Sequence, residues 1–349
     1  MKHLRSFFAV LLAAAVCAAV VLFSGCGASV QVQQLTIPGE RGSIHATLTT
    51  PANAENMPAV VICHGFTGNR QLDGHAKPLA KTLAQHSITS IAIDFAGSGE
   101  SEEPFTAYTP ASMRDDITSA ITYLTDTVGA DPERIGLLGH SMGSFYARQY
   151  LCEWGGELDG AIIMGTGFQP KALVATARAL CRVLAVFFGW EHRSKLVASL
   201  SFLGYNRGLE GRTPQDWLNR DQAEVDKYRA DERCTFTFTL NAYYSMFTGI
   251  LRLYDPAVLA GVPKDLPLLF LAGDADPVGE RTAGVRRAIQ SLRDGRCREH
   301  RVEILPRRPP RAAGGDEQSR GVCGHRRLAE QTDLINITGL CATAPFLFF

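Results

Sequence analysis

Gly139-His140-Ser141-Met142-Gly143 sets a serine between glycines placed two residues to either side. The β-rich run Arg134 to Leu138 precedes it and the helix-prone run Ser144 to Leu151 follows. A nucleophilic serine must stand on a sharp strand-to-helix turn so that its hydroxyl projects from the sheet, and Gly139 and Gly143 would relieve the crowding there. A second element agrees. The apolar run Ala59 to Cys63 passes directly into His64-Gly65-Phe66-Thr67-Gly68, a loop able to aim backbone N–H groups at a developing oxyanion. The expected donor pair is the N–H of Met142 and the N–H of Phe66. His64 precedes the serine in the chain and is read as a brace of this loop rather than a base. The third element, Leu271 to Val278, ends a strand with Asp274 and Asp276. Asp276, just before Pro277, is expected to orient an imidazole base, and Asp274 to cap the turn. The chemistry these types describe is acyl transfer through Ser141.

On these residues the chain resembles the α/β-hydrolases, in the serine-hydrolase branch that holds monoacylglycerol lipases, lysophospholipases and the S33 serine aminopeptidases. From Leu137 through Val278 it is most similar to bacterial lysophospholipase-like members, notably in Gly139 to Phe145, in Trp217-Leu218-Asn219-Arg220-Asp221, in Pro263 to Pro267 and in Gly273 to Gly279. Before the elbow, His64 to Asn69 and Asp94-Phe95-Ala96-Gly97-Ser98-Gly99-Glu100-Ser101 resemble the feruloyl or cinnamoyl esterase branch. The resemblance implies an α/β-hydrolase fold, a mostly parallel sheet with helices on both faces and an inserted helical cap. It implies a lipid-like ester such as a monoacylglycerol or lysophospholipid, turned over through an acyl-enzyme with no metal or organic cofactor. A feruloyl-type ester is the alternative within the fold. A surface lipoprotein that binds an acyl or aromatic ligand without turnover is the alternative from another class.

The family carries its catalytic histidine after the last core strand, about 30 residues past the acid, usually as Arg-His-Glu. Here the run Val302 to Leu305 leads into Pro306-Arg307-Arg308-Pro309-Pro310-Arg311-Ala312-Ala313-Gly314-Gly315, with no histidine. Runs of Arg, Pro, Ala and Gly neither build a helix nor fill a core. Read one base out of frame from Arg307, permitted codons give Gly-Gly-Arg-His-Glu-Leu-Leu. From Gly315 to Glu330 they permit Glu-Thr-Asn-Arg, one open position, then Glu-Val-Tyr-Ala-Asp-Ile-Val-Ala-Trp-Leu-Asn. That succession resembles the family's missing motif and closing helix. Residues 307–349 are therefore read as a frameshifted tail in which His325 is a bystander, with His325 or His300 as base the competing expectation.

Positioning Ser141 and Asp276 requires a sheet. Short apolar or β-branched runs recur at Ile44 to Thr50, Ala59 to His64, Thr89 to Asp94, Arg134 to Leu138, Gly160 to Gly165, Leu268 to Gly273 and Val302 to Leu305. Several are continuous, as strands buried on both faces of a parallel sheet are. Helical patterns such as Ala76 to Gln85 and Met113 to Thr125 alternate with them, which predicts an open α/β sheet. The aromatic, helix-leaning interval 168–262 breaks the alternation and reads as a cap over a pocket. The core then comprises 26–167 and 263–306.

Composition agrees with a globular chain. Lys+Arg and Asp+Glu both number 35, and 46% of residues are hydrophobic, a balance that argues against a phosphate-led nucleic-acid binder. The nine cysteines include no CxxC pair and no cluster at zinc spacing, so no metal site is expected. Residues 1–25 read as a lipoprotein-type signal peptide: Lys2 and Arg5, an uncharged run Phe7 to Phe23, then small residues before Cys26. Cys26 is the expected lipidation site, and it would anchor the mature chain to the cell membrane on its outer side; an uncleaved membrane anchor is the alternative, since the apolar run nears the ~20 residues that span a bilayer.

Overall fold

The computed structural model describes residues 30–52, 55–65, 68–103, 107, 109–209, 211–219, 221–232, 234–294 and 300–305, with the backbone alone for Asp73 and for 300–305. The leader, Cys26 and the tail 307–349 with His325 lie outside these described residues.

Eight strands form one sheet: β1 (Val30–Gly39), β2 (Gly42–Pro51), β3 (Ala59–Cys63), β4 (Thr89–Ile93), β5 (Ile135–His140), β6 (Gly160–Met164), β7 (Leu268–Gly273) and β8 (His300–Leu305). Their order across the sheet is β1-β2-β4-β3-β5-β6-β7-β8. The β1–β2 and β2–β4 pairs are antiparallel, and every later pair is parallel. This is the mostly parallel α/β-hydrolase sheet.

The continuous apolar runs explain why the middle of the sheet is buried on both sides. All five residues of β3 are buried, and side chains alternate between faces. Val60 and Ile62 pack with Leu79 and Leu83 of α1 (Ala76–Gln85), whereas Val61 and Cys63 join the larger cluster on the other face. Residues from α2 (Pro110–Thr122), α3 (Met142–Trp154) and α9 (Ala283–Asp294) complete that second face. Thr109 opens α2 with a capping box shared with Ser112, and Pro110 sits in the first turn, where its missing N–H costs nothing.

Sequence reading omitted β1. Its alternation slips phase between Val32 and Leu35, and as an edge strand it buries only Ile37, so little apolar signal marks it. Between β6 and β7 the regular elements of at least one full turn are helical: α4 (Lys171–Phe188), α5 (Lys195–Ser201), α6 (Gln222–Ala230), α7 (Leu240–Arg252) and α8 (Pro256–Leu259). Helix α7 packs on α4 and also on α2 and α3, which ties this insertion to the sheet.

Candidate active site

Ser141 stands between the end of β5 and the first residue of α3 with φ 53° and ψ −121°. Positive φ is costly for a residue with a Cβ, so the turn must be held from outside. Its own N–H donates to the Met164 carbonyl at 2.9 Å, fixing the elbow to β6. The glycines around it are steric necessities. A Cβ on Gly139 would stand 2.5 Å from the Gly143 carbonyl oxygen, and one on Gly143 would stand 2.5 Å from that of His64. A Cβ on Gly65 would meet the Ser141 Cβ at 2.8 Å. The strand-to-helix turn and the loop after β3 are thus in backbone contact.

Met142 opens α3, and the first N–H groups of a helix lack intrahelical acceptors, which leaves that end electropositive beside Ser141. Phe66 lies outside the described residues, although Gly65 before it is in place against the serine. His64 is buried. The Phe95 N–H donates to its Nε2 at 3.2 Å, so the proton sits on Nδ1, which donates to the Gly65 carbonyl at 2.9 Å. Burial pushes the His64 pKa down, against the opposing pull of Asp94. This neutral ring couples the loop after β3 to the loop after β4, the bracing role expected from its place in the chain. Asp94 in turn takes the Arg70 and Glu100 N–H groups at 2.6 and 3.0 Å and pairs with the Arg70 guanidinium. The Asp94 to Ser101 motif is therefore a wrapped turn.

Asp276 follows β7. Its carboxylate accepts the Val278 N–H at 2.8 Å and the Gly279 N–H, yet burial outweighs both and raises its pKa to about 6. Asp274 lies two residues earlier in the same turn. Ser141 and Asp276 meet at Gly165: a Cβ there would stand 3.6 Å from the Ser141 nitrogen and 3.9 Å from Asp276 Oδ2. Gly165 was not singled out in the sequence, because its importance arises only from the β5-β6-β7 order.

Arg148 and Gln169 escaped sequence reading, and Tyr205 was marked only as one of the aromatic residues of the insertion. Buried Arg148 of α3 donates to the Gly167 carbonyl at 3.1 Å and so holds the loop after β6. Gln169 Nε2 donates to the Val278 carbonyl at 3.1 Å, bracing the acid's loop. Tyr205, in the insertion, has its pKa pushed up to about 12 by burial and then by the Asp276 charge. Nothing local marks these contacts, which join positions far apart in the chain. Among the described residues no side chain hydrogen-bonds the Ser141 hydroxyl.

The register of the last pair bears on the base. Leu305 lies opposite Gly273, so the chain leaves β8 beside the strand that delivers Asp276. His300 lies opposite Leu268 at the other end of β8, about 16 Å away at strand spacing. That position does not reach Ser141, and His300 is removed as a candidate base.

The family model described as serine aminopeptidase, S33 matches residues 54–303, more than two thirds of the chain. The chain belongs to this family. By family it is a serine hydrolase. An Escherichia coli protein encoded between traX and finO is 31% identical over 100 residues, 29% of this chain and 34% of its own length. YfhR of Salmonella typhimurium is 38% identical over 92 residues, 26% of this chain and 29% of its own. The chain thus spans about a third of the length of the curated relatives it matches. Among solved structures, a thermostable carboxyl esterase from Bacillus coagulans aligns with a TM-score of 0.68 at 21% identity, over 79% of this chain and 90% of that one. A soluble variant of monoglyceride lipase from Saccharomyces cerevisiae aligns with a TM-score of 0.57 at 16% identity, over 79% and 86%. At these identities the likeness is one of fold.

Proposed function

We propose that this serine hydrolase is built to cleave a lipid-like carboxyl ester, a monoacylglycerol or lysophospholipid. The observation that carries the reading is Ser141 on its strained strand-to-helix turn, with its backbone nitrogen and an Asp276 carboxylate oxygen both within 4 Å of where a Cβ on Gly165 would stand. In the reaction the Ser141 Oγ attacks the acyl carbonyl and its proton passes to a base. The N–H groups of Met142 and Phe66 hold the oxyanion, and the leaving alcohol departs with the proton as the acyl-enzyme forms. Water then releases the acid and regenerates the serine. Asp276 orients and charges-stabilises the base. The aromatic insertion, with Phe202 stacked on Trp217 at 5.5 Å and Tyr205 edge-on to the same ring, suits an acyl chain.

The base belongs on the segment after Leu305, and this chain carries an Arg-Pro-rich run there. The end of the family match at residue 303 supports the reading that the frame shifts near Pro306. Loss of a triad base costs several powers of ten in rate, so the chain as written is expected to be nearly inactive. The test compares this chain with one whose frame is restored, on a graded series of p-nitrophenyl and lysophospholipid esters. Hydrolysis only in the restored chain, abolished by Ser141→Ala, is the expected result, and equal rates in both would remove the missing-base account.

The absent histidine favours one second reading, a membrane-anchored lipoprotein that binds an acyl or aromatic ligand without turnover. A fluorophosphonate probe separates the two, since labelling needs an activated serine. Strong labelling of the chain as written, lost in Ser141→Ala, would argue against both the binder and the missing base.

A further inference from the structure

Eleven large hydrophobic side chains are exposed among the described residues, and ten of them fall between Leu173 and Leu209. Helix α4 sets Lys171, Arg178 and Arg182 along one side at helical spacing and apolar residues around the rest. Val174, Cys181 and Ala185 are buried, while Val186 and Phe187 are 78% and 75% exposed and Val183 stands in solvent beside them. Leu196 and Leu200 of α5, which packs against α4, are exposed as well. Exposed large apolar side chains concentrated on one segment and accompanied by cations mark an interaction site.

Charge selects the partner. From Lys171 to Arg207 the segment carries six cationic side chains, Lys171, Arg178, Arg182, Arg193, Lys195 and Arg207, against one carboxylate, Glu191. None of the six forms an ion pair among the described residues. Two copies meeting on this face would bring cations against cations. An apolar strip flanked by Lys and Arg matches instead the boundary between anionic headgroups and acyl chains. Helix α4 also starts six residues beyond Gly165, which borders both Ser141 and Asp276.

We infer that the α4–α5 face docks on an anionic lipid bilayer, so that the insertion rests on the surface from which a lipid-like ester would be drawn. The link to that ester rests on the function proposed above, whereas the docking itself does not. Trp190, half-exposed at the end of α4, is a reporter inside the patch. The full chain is mixed with vesicles whose acyl chains are brominated, and the emission removed by Trp190→Phe is followed. Quenching of that component in phosphatidylglycerol vesicles is expected, with little in pure phosphatidylcholine. The paired substitution Val186→Glu and Phe187→Glu should abolish it, and Arg182→Gln with Lys195→Gln should weaken vesicle affinity about thirtyfold. Circular dichroism checks that these surface variants stay folded. Trp190 left unquenched on vesicle-bound protein, equal quenching in both lipids, or a dimer that hides Trp190 would each overturn the proposal. Because the readout follows the patch, attachment through the N-terminus does not mimic it. Hydrolysis of a soluble p-nitrophenyl ester by the frame-restored chain, unchanged in the patch variants, separates failure of the docking from failure of the esterase reading.

Discussion

Ser141 holds a left-handed backbone that a β-carbon disfavours by about 1–3 kcal/mol. Ser141→Gly should therefore raise the melting temperature while removing all fluorophosphonate labelling from a frame-restored chain. An unchanged or lower melting temperature would show that the turn stores no such strain. Asp276 makes a second residue-scale prediction. Its folded pKa, about 6, exceeds the usual 3.8, so its protonated form is favoured by folding. The stability this contributes is complete below about 3.8 and is lost as pH rises through about 6. Asp276→Asn removes the cost of burying the charge, so its melting temperature relative to the parent should climb between pH 4 and pH 7. His140, whose pKa burial lowers to about 4, runs the opposite way in both proteins and cancels in the difference. A flat difference across that range would mean that Asp276 is not held in a charge-disfavouring site.

At the scale of elements, the helices that carry the site depend on their first turns. Thr109 accepts the Ser112 N–H at 3.1 Å and Ser112 Oγ accepts the Thr109 N–H at 3.0 Å, closing the box that starts α2. Thr109→Ala should cost about 1 kcal/mol, a fall of roughly 1–2 °C in melting temperature for a chain of this size, read by calorimetry. Activity in the restored frame should be untouched, because α2 supports the sheet face without meeting Ser141. The joint between the loops after β3 and β4 is of the same order of structure. One neutral imidazole, His64, serves both loops, and its burial keeps it neutral.

At the scale of the molecule, β8 ends at Leu305 beside the strand that delivers Asp276, and the proposed function places the missing base and a closing helix just beyond it. On the proposed frameshift, restoring the frame would supply both. A packed helix contributes about 2–3 kcal/mol for each large side chain it buries, so the restored chain should melt higher as well as hydrolyse a short p-nitrophenyl ester. If both quantities stayed unchanged, the frameshift account would have to be abandoned. Anchoring is a separate question at this scale. Cys26→Ala should release the protein from the membrane fraction or leave its precursor unprocessed, since lipid chains would then be the attachment. A processed, membrane-bound Cys26→Ala protein would contradict the lipoprotein reading.

The elbow, the buried strands and the aspartate-bearing turn after β7 were legible in the chain because each rests on neighbours in sequence. Glycine spacing around Ser141 reflects sterics within one turn, and a run such as Ala59 to Cys63 needs only burial on both faces to be recognised. Three things were decided by tertiary structure. Strand β1 pairs at an edge and buries almost nothing, so its pattern was too weak to read. Gly165, Arg148 and Tyr205 matter through contacts set by strand order and by the return of the insertion over the sheet. His300 was a candidate base as a letter in the sequence, and the register of β7 with β8 placed it at the wrong end of its strand. Local sterics act between residues a few bonds apart, whereas a site assembled from β5, β6 and β7 exists only once the sheet has brought their ends together.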